Sequence, residues 1–160
     1  MINDNEIYEA LFSKLNESFS NEMVFYKAFQ GNTRNYDCYA TIYVQNYKTK
    51  DTYKKYFDKE NPKEQQSNTL SFLIQIDFFN NVDDLLSVVE RVKAFLRSDN
   101  CAYVFNKKGL YIKNFSQIRS LPEKEKNKWR YRKSFDFNIE FMDSHEFAVD
   151  YILHADIKRK

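Results

Sequence analysis

Three carboxylates, Asp77, Asp136 and Glu140, are the residues whose type and spacing come nearest to chemistry in this chain. Asp136 and Glu140 fall on one face of an alternating stretch, and Asp77 lies on a second such stretch. Brought together with a lysine, the three would bind a divalent ion and position phosphate and water, as a small metal-dependent nuclease requires. The same positions are also the expected polar face of amphipathic strands, so the pattern is not a catalytic signature. His145 and His154 are nine residues apart, which places them on no common helical face, and neither cysteine neighbours a histidine. No serine stands in a nucleophile elbow, and Cys38 and Cys101 have no activating neighbours in sequence. The residues therefore point to no catalytic site, no metal and no cofactor.

A second cluster could bind rather than react. Lys124, Lys126, Lys128, Arg130, Arg132 and Lys133 are interleaved with Trp129 and Tyr131. Aromatic rings between cations hold single-stranded nucleic acid without sequence preference. Glu123 and Glu125 dilute the patch, however, and the net charge of the 160-residue chain is only +2, too small to imply a polyanion partner by itself. A protein interface or a solvated loop fits that balance better. The two glycines, Gly31 and Gly109, are too few for a phosphate-cradling loop or a dinucleotide fingerprint. Twelve tyrosines are harder to bury than fifteen phenylalanines, because each hydroxyl needs a partner, so part of the tyrosine set is expected to face another protein.

The elements that must position these residues centre on 69–98. Leu70, Phe72, Ile74, Ile76 and Phe78 alternate with polar residues, the period of a strand with one buried face. From Asn81 the period changes: Val82, Leu85, Leu86, Val89, Val92 and Leu96 predict a helix lying on that strand, with Asn81 as its cap and Asp83 and Asp84 at its positive end. A first helix is predicted from about Asp4 to Ser18, a strand from Met23 to Phe29, and a turn at Gly31-Asn32-Thr33-Arg34-Asn35. Tyr39 to Tyr47 alternates with Ala40, Ile42 and Val44 on one face and Tyr39, Tyr43 and Tyr47 on the other, so both faces carry bulk. Cys101 to Phe105 and Leu110 to Lys113 are expected to form a hairpin closed through Gly109. Arg132 to Met142 alternates cleanly, and Phe147 to Ile157 is expected to add a strand.

Two stretches break the pattern. Residues 48–67 mix charges of both signs around Pro62 and are expected to form a long loop, read equally as a solvated excursion or as one in which Tyr53, Tyr56 and Phe57 make one helical turn that orders on a partner. Residues 114–131 are expected to be a second long loop. The pattern favours one α+β domain over 1–160, a mainly antiparallel sheet with two helices on one face. No apolar run approaches the length of a membrane span, and nothing at the start of the chain resembles a secretory signal, so a soluble protein with reduced thiols in the cytoplasm is expected.

Taken in order, the helix Ile7 to Phe19, the strand Tyr39 to Tyr47, the unit Leu70 to Arg97 and the closing run Trp129 to Phe141 resemble phage neck or tail terminator proteins. That resemblance implies a tail-terminator-like fold and a virion structural protein without enzymatic activity, assembled in the host cytoplasm. It also implies a homo-oligomer, a hexameric ring, that joins a connector or adaptor to the tail tube or sheath and lets double-stranded DNA pass without sequence-specific binding. The surplus aromatics Tyr39, Tyr43, Tyr47, Tyr53, Tyr56, Phe57, Trp129 and Tyr131 are the candidate interface residues, and Lys124, Lys126, Lys128 and Arg130 the candidate channel-facing or DNA-facing ones. The metal-dependent nuclease is the alternative from another class, and a single-strand binder using Trp129 and Tyr131 is a third.

Overall fold

The computed structural model describes residues 2–30, 38–57, 63–81 and 85–148. They form an α+β fold with three helices and a mostly antiparallel, mixed sheet of seven strands. In chain order these are α1 (Asp4–Phe19), β1 (Val24–Lys27), β2 (Cys38–Phe57), β3 (Lys63–Asn80), α2 (Leu85–Leu96), α3 (Asp99–Lys107), β4 (Leu110–Lys113), β5 (Arg119–Ser120), β6 (Glu123–Glu125) and β7 (Lys128–Ala148). The sheet runs β1-β2-β3-β7-β4, with β5 and β6 also paired to β7, so the last strand among the described residues lies inside the sheet rather than at its edge. Only β1 runs parallel to its neighbour among these pairings.

One register sorts the two faces. Ile42 pairs with Ile76 and Ile76 with Phe135, while Val44 pairs with Ile74 and Ile74 with Phe137. All of these residues are buried, and the helices close over them with Ile7, Leu11, Leu15, Val89, Val92, Leu96 and Phe105 in one hydrophobic cluster. Fully burying such a side chain contributes roughly 1.5–3 kcal/mol, which makes this layer the main source of stability. α1 begins on a capping box, with the Glu6 amide donating to Asn3 Oδ1 (3.0 Å) and the Asn3 amide to Glu6 Oε2 (2.8 Å). Leu85, Val89, Val92 and Leu96 put the buried stripe of α2 at spacings of four, three and four. Arg91 of α2 grips Glu22 through both guanidinium nitrogens and ties that helix to the chain that follows α1.

The structure corrects several expectations. Residues 101–105 are helical, not the first arm of a hairpin, so three helices cover the sheet instead of two. Ser98 caps α3, its hydroxyl accepting from the Cys101 amide (3.2 Å), and Cys101 and Phe105, four residues apart, bury one helical stripe. Gly109 does take a positive φ (74°), but as the exit from α3 into β4. The expected loop over 48–67 is strand wherever it is described. Lys54 to Phe57 pair with Ser67 to Glu64, so Tyr53, Tyr56 and Phe57 lie in β2 and make no helical turn. Polar residues at nearly every position hid the alternation, since neither face of this stretch carries the apolar stripe that marks a half-buried strand. The expected loop over 114–131 contains β5, β6 and the start of β7. Lys126 and Asn127, with φ of 46° and 65°, form the two-residue turn of a β6–β7 hairpin.

The turn at 31–35, Val82, Asp83 and Asp84, Pro62, and the run from Val149 to Ile157 with His154 lie outside the described residues. Of the final predicted strand, Phe147 and Ala148 belong to the end of β7.

Candidate functional site

The sheet face opposite the helices carries the residues that sequence reasoning singled out. The register lays Tyr39, Phe79 and Arg132 in one row across β2, β3 and β7, then Thr41, Asp77 and Ser134, then Tyr43, Gln75 and Asp136. Glu140 lies further along, opposite Ser71 and Tyr111. The face is a ladder of paired charges. Arg132 reaches Asp77 at 3.3 Å and Glu123 at 3.7 Å, Arg119 reaches Asp136 at 2.7 Å, and Lys113 reaches Glu140 at 2.5 Å. Gln75 adds hydrogen bonds to both oxygens of Asp77 (3.2 and 3.0 Å).

This arrangement separates the carboxylates of the nuclease reading. Asp136 and Glu140 are four strand residues apart, about 13 Å at about 3.3 Å per residue, and each carboxylate holds its own cation. Among the described residues, no three His, Cys, Asp or Glu side chains are grouped to hold a metal ion. The ladder fixes strands to one another and commits each of these three carboxylates to a cation.

The aromatics divide into two sets. Tyr39 is buried: its ring stacks on Phe79 (4.8 Å), meets Tyr26 edge-on (6.3 Å) and lies under the Arg130 guanidinium (4.9 Å). Arg130 also lies 5.5 Å from Phe79, so this cation closes an intramolecular stack. Tyr43 remains exposed beside Phe29, edge to face at 5.3 Å. An extra residue in β2 between Val44 and Tyr47 brings Tyr47 opposite Phe72, out of phase with Tyr39 and Tyr43. The three tyrosines therefore do not form one row.

Trp129 and Tyr131 are exposed on the β6–β7 hairpin, and Lys124 pairs across from Trp129. Lys126 stands at the turn and Lys128 opposite Glu125, so positive and negative residues alternate along the hairpin. Tyr131 also lines a cleft of about 430 Å³ with Leu85, Leu86, Ser120, Pro122, Arg132 and Lys133. Sequence reasoning passed over that cleft, because its walls come from α2, the segment around β5 and β7. It passed over Phe29 too, whose exposed ring and φ of 64° are set by the turn that ends β1.

The described face is thus a scaffold with exposed aromatic and charged margins. Residues 5–160 match the model of a family described as phage neck terminator protein. The chain belongs to the phage neck terminator family. The match spans nearly the whole sequence, and it makes the chain a structural protein of the virion neck that meets other phage structural proteins. A search of curated proteins finds no match. Among the described residues, no helix of this neck terminator is long and apolar enough to cross a membrane.

Proposed function

We propose that this neck terminator works without catalysis as one subunit of a closed homo-oligomeric ring of six copies, seated between the head connector and the tail tube or sheath, through which double-stranded DNA passes. The family match over residues 5–160 carries this reading. The charge ladder supports it: Asp77, Asp136 and Glu140, which a nuclease would need free to bind metal, are each held by a cation. A ring subunit needs two different patches that meet head to tail, and exposed aromatics lie both beside β1 and on the β6–β7 hairpin.

Of the cations expected to face DNA, Arg130 is engaged over Tyr39 and Phe79. Lys126 and Lys128 at the hairpin turn are the better channel candidates, and their neighbours Glu123 and Glu125 keep the surface mixed in sign. Such a lumen lets a duplex slide, whereas each added phosphate contact would steepen the salt dependence of binding. The test is mass measurement of the protein alone and mixed with its connector or tail-tube protein. A closed oligomer is expected, and a strict monomer under both conditions overturns the ring. Metal-dependent cleavage of DNA by the wild-type protein, abolished by Asp136→Asn, would replace this reading with the nuclease.

A further inference from the structure

Phe29 is the most exposed large apolar residue described, at 90% of its full surface, and it is held at a φ of 64°. A bulky non-glycine residue in that region is strained by about 1–3 kcal/mol, and strain of this kind concentrates where a side chain must be presented. The ring stands off the end of β1 against Tyr43. The first turn of α1, which carries the exposed acids Asp4 and Glu6, is fixed to β1 two residues before Phe29 by the Lys27 ammonium donating to Asn5 Oδ1 (3.4 Å). This margin of the sheet carries an aromatic knob, two exposed acids and the Lys27 ammonium, and is negative on balance.

At the far margin the features are reversed. The cleft between α2 and the start of β7 has Leu85, Leu86, Pro122 and Tyr131 as apolar walls. Lys133 stands at its rim, its ammonium donating to Ser120 Oγ (2.5 Å), with Lys124 on the adjoining hairpin. Leu86 and Tyr131 are 45% and 41% exposed, so the walls are open to solvent. In the sheet order β1-β2-β3-β7, knob and cleft lie across the width of the sheet from one another and share no residue. One copy can therefore use both at once, which head-to-tail closure of a ring demands.

We propose that Phe29 of one copy inserts into the Leu85–Leu86–Pro122–Tyr131 cleft of the next, with Asp4 and Glu6 facing Lys124 and Lys133. The occupant is a second copy of this chain, because the chain itself supplies a knob and a hole of matching chemistry and opposite charge. This rests on the ring reading and names the surfaces that make the ring.

A double variant, Phe29→Cys with Leu86→Cys, is treated with a short bifunctional maleimide, beside the wild type and each single variant. A ladder of crosslinked oligomers is expected from the double variant alone. Phe29→Asp is expected to weaken self-association by about 10- to 100-fold, as loss of an interface anchor does, with no fall in the thermal midpoint because the residue is exposed and Asp tolerates its φ better than Phe. A closed ring of wild-type protein with no ladder from the double variant overturns the knob-and-cleft contact and leaves the ring standing. With Cys38 and Cys101, the native free thiols, replaced by Ser in every variant, a dimer from Phe29→Cys alone overturns it as well, since Phe29 would then meet its own copy. A monomer at every concentration, with or without connector protein, overturns the ring and the contact together.

Discussion

Tyr8 uses its ring and its hydroxyl on different neighbours. The ring is buried in the core and lies under the Lys27 ammonium (4.5 Å), while the hydroxyl oxygen accepts from the Val44 amide at 2.9 Å. β1 ends at Lys27, opposite Ile42, so the Val44 amide has no strand partner there and a helix side chain serves instead. Tyr8→Phe keeps the ring and removes the acceptor, which is expected to cost about 1–3 kcal/mol, read as a lowered urea midpoint with an unchanged slope. Burial also pushes the Tyr8 phenol above its ordinary value. The Cys101 thiol, 1% exposed, is pushed up by burial to about 11. Its folded pKa is above its unfolded one, so the stabilising contribution is complete below the ordinary thiol range and is lost as pH rises toward 11. Denaturation midpoints are therefore expected to fall between pH 9 and 11, and to fall less in Cys101→Ala.

At the scale of elements, legibility follows how each strand or helix is buried. Residues 70–78 and 135–141 were readable because one face meets the helices and the other carries the charge ladder. The buried residue at their centre, Phe137, stacks on Phe115 at 5.2 Å. Phe137→Ala is expected to cost about 3–5 kcal/mol in a denaturant titration, a large part of the stability of an ordinary domain. Over α3, Cys101, Tyr103, Val104 and Phe105 suit a strand by type, and propensity yields to capping and burial. The signals present were Ser98 ahead of Asp99 and the four-residue spacing of Cys101 and Phe105. Removing that cap with Ser98→Ala is expected to cost about 0.5–2 kcal/mol and to lower helical circular dichroism before the sheet melts. The outer part of the β2–β3 pair was illegible for the opposite reason: its sequence shows no apolar stripe, and its order is visible only in the pairing of one backbone with the next. Of the candidate site, the carboxylates and the Trp129–Tyr131 hairpin could be named from sequence. Their isolation by Arg119, Arg132 and Lys113 could not, because two of those pairings join distant parts of the chain and all depend on register.

For the whole molecule, the small net charge conceals a polarity. Acidic residues open α1 beside one margin of the sheet, and bases outnumber acids on the mixed β6–β7 hairpin at the other. Contacts between such margins are screened within about 10 Å at moderate salt. Self-association measured by sedimentation is therefore expected to weaken as salt rises, while Lys133→Glu weakens it at low salt without lowering the thermal midpoint.

The place of β7 in the sheet also has a consequence for biosynthesis. Lys63 pairs with Ala148, and strands β3, β4, β5 and β6 all hydrogen-bond to a segment that leaves the ribosome after them. Until residues 128–148 emerge, the nascent chain lacks Phe135, Phe137 and Ile139 from its core and has an open edge on β3. Pairings this distant in sequence close slowly. The sheet is therefore completed only once residues 128–148 have been made, and the cleft that Tyr131 helps to wall exists only in a chain that has completed its sheet.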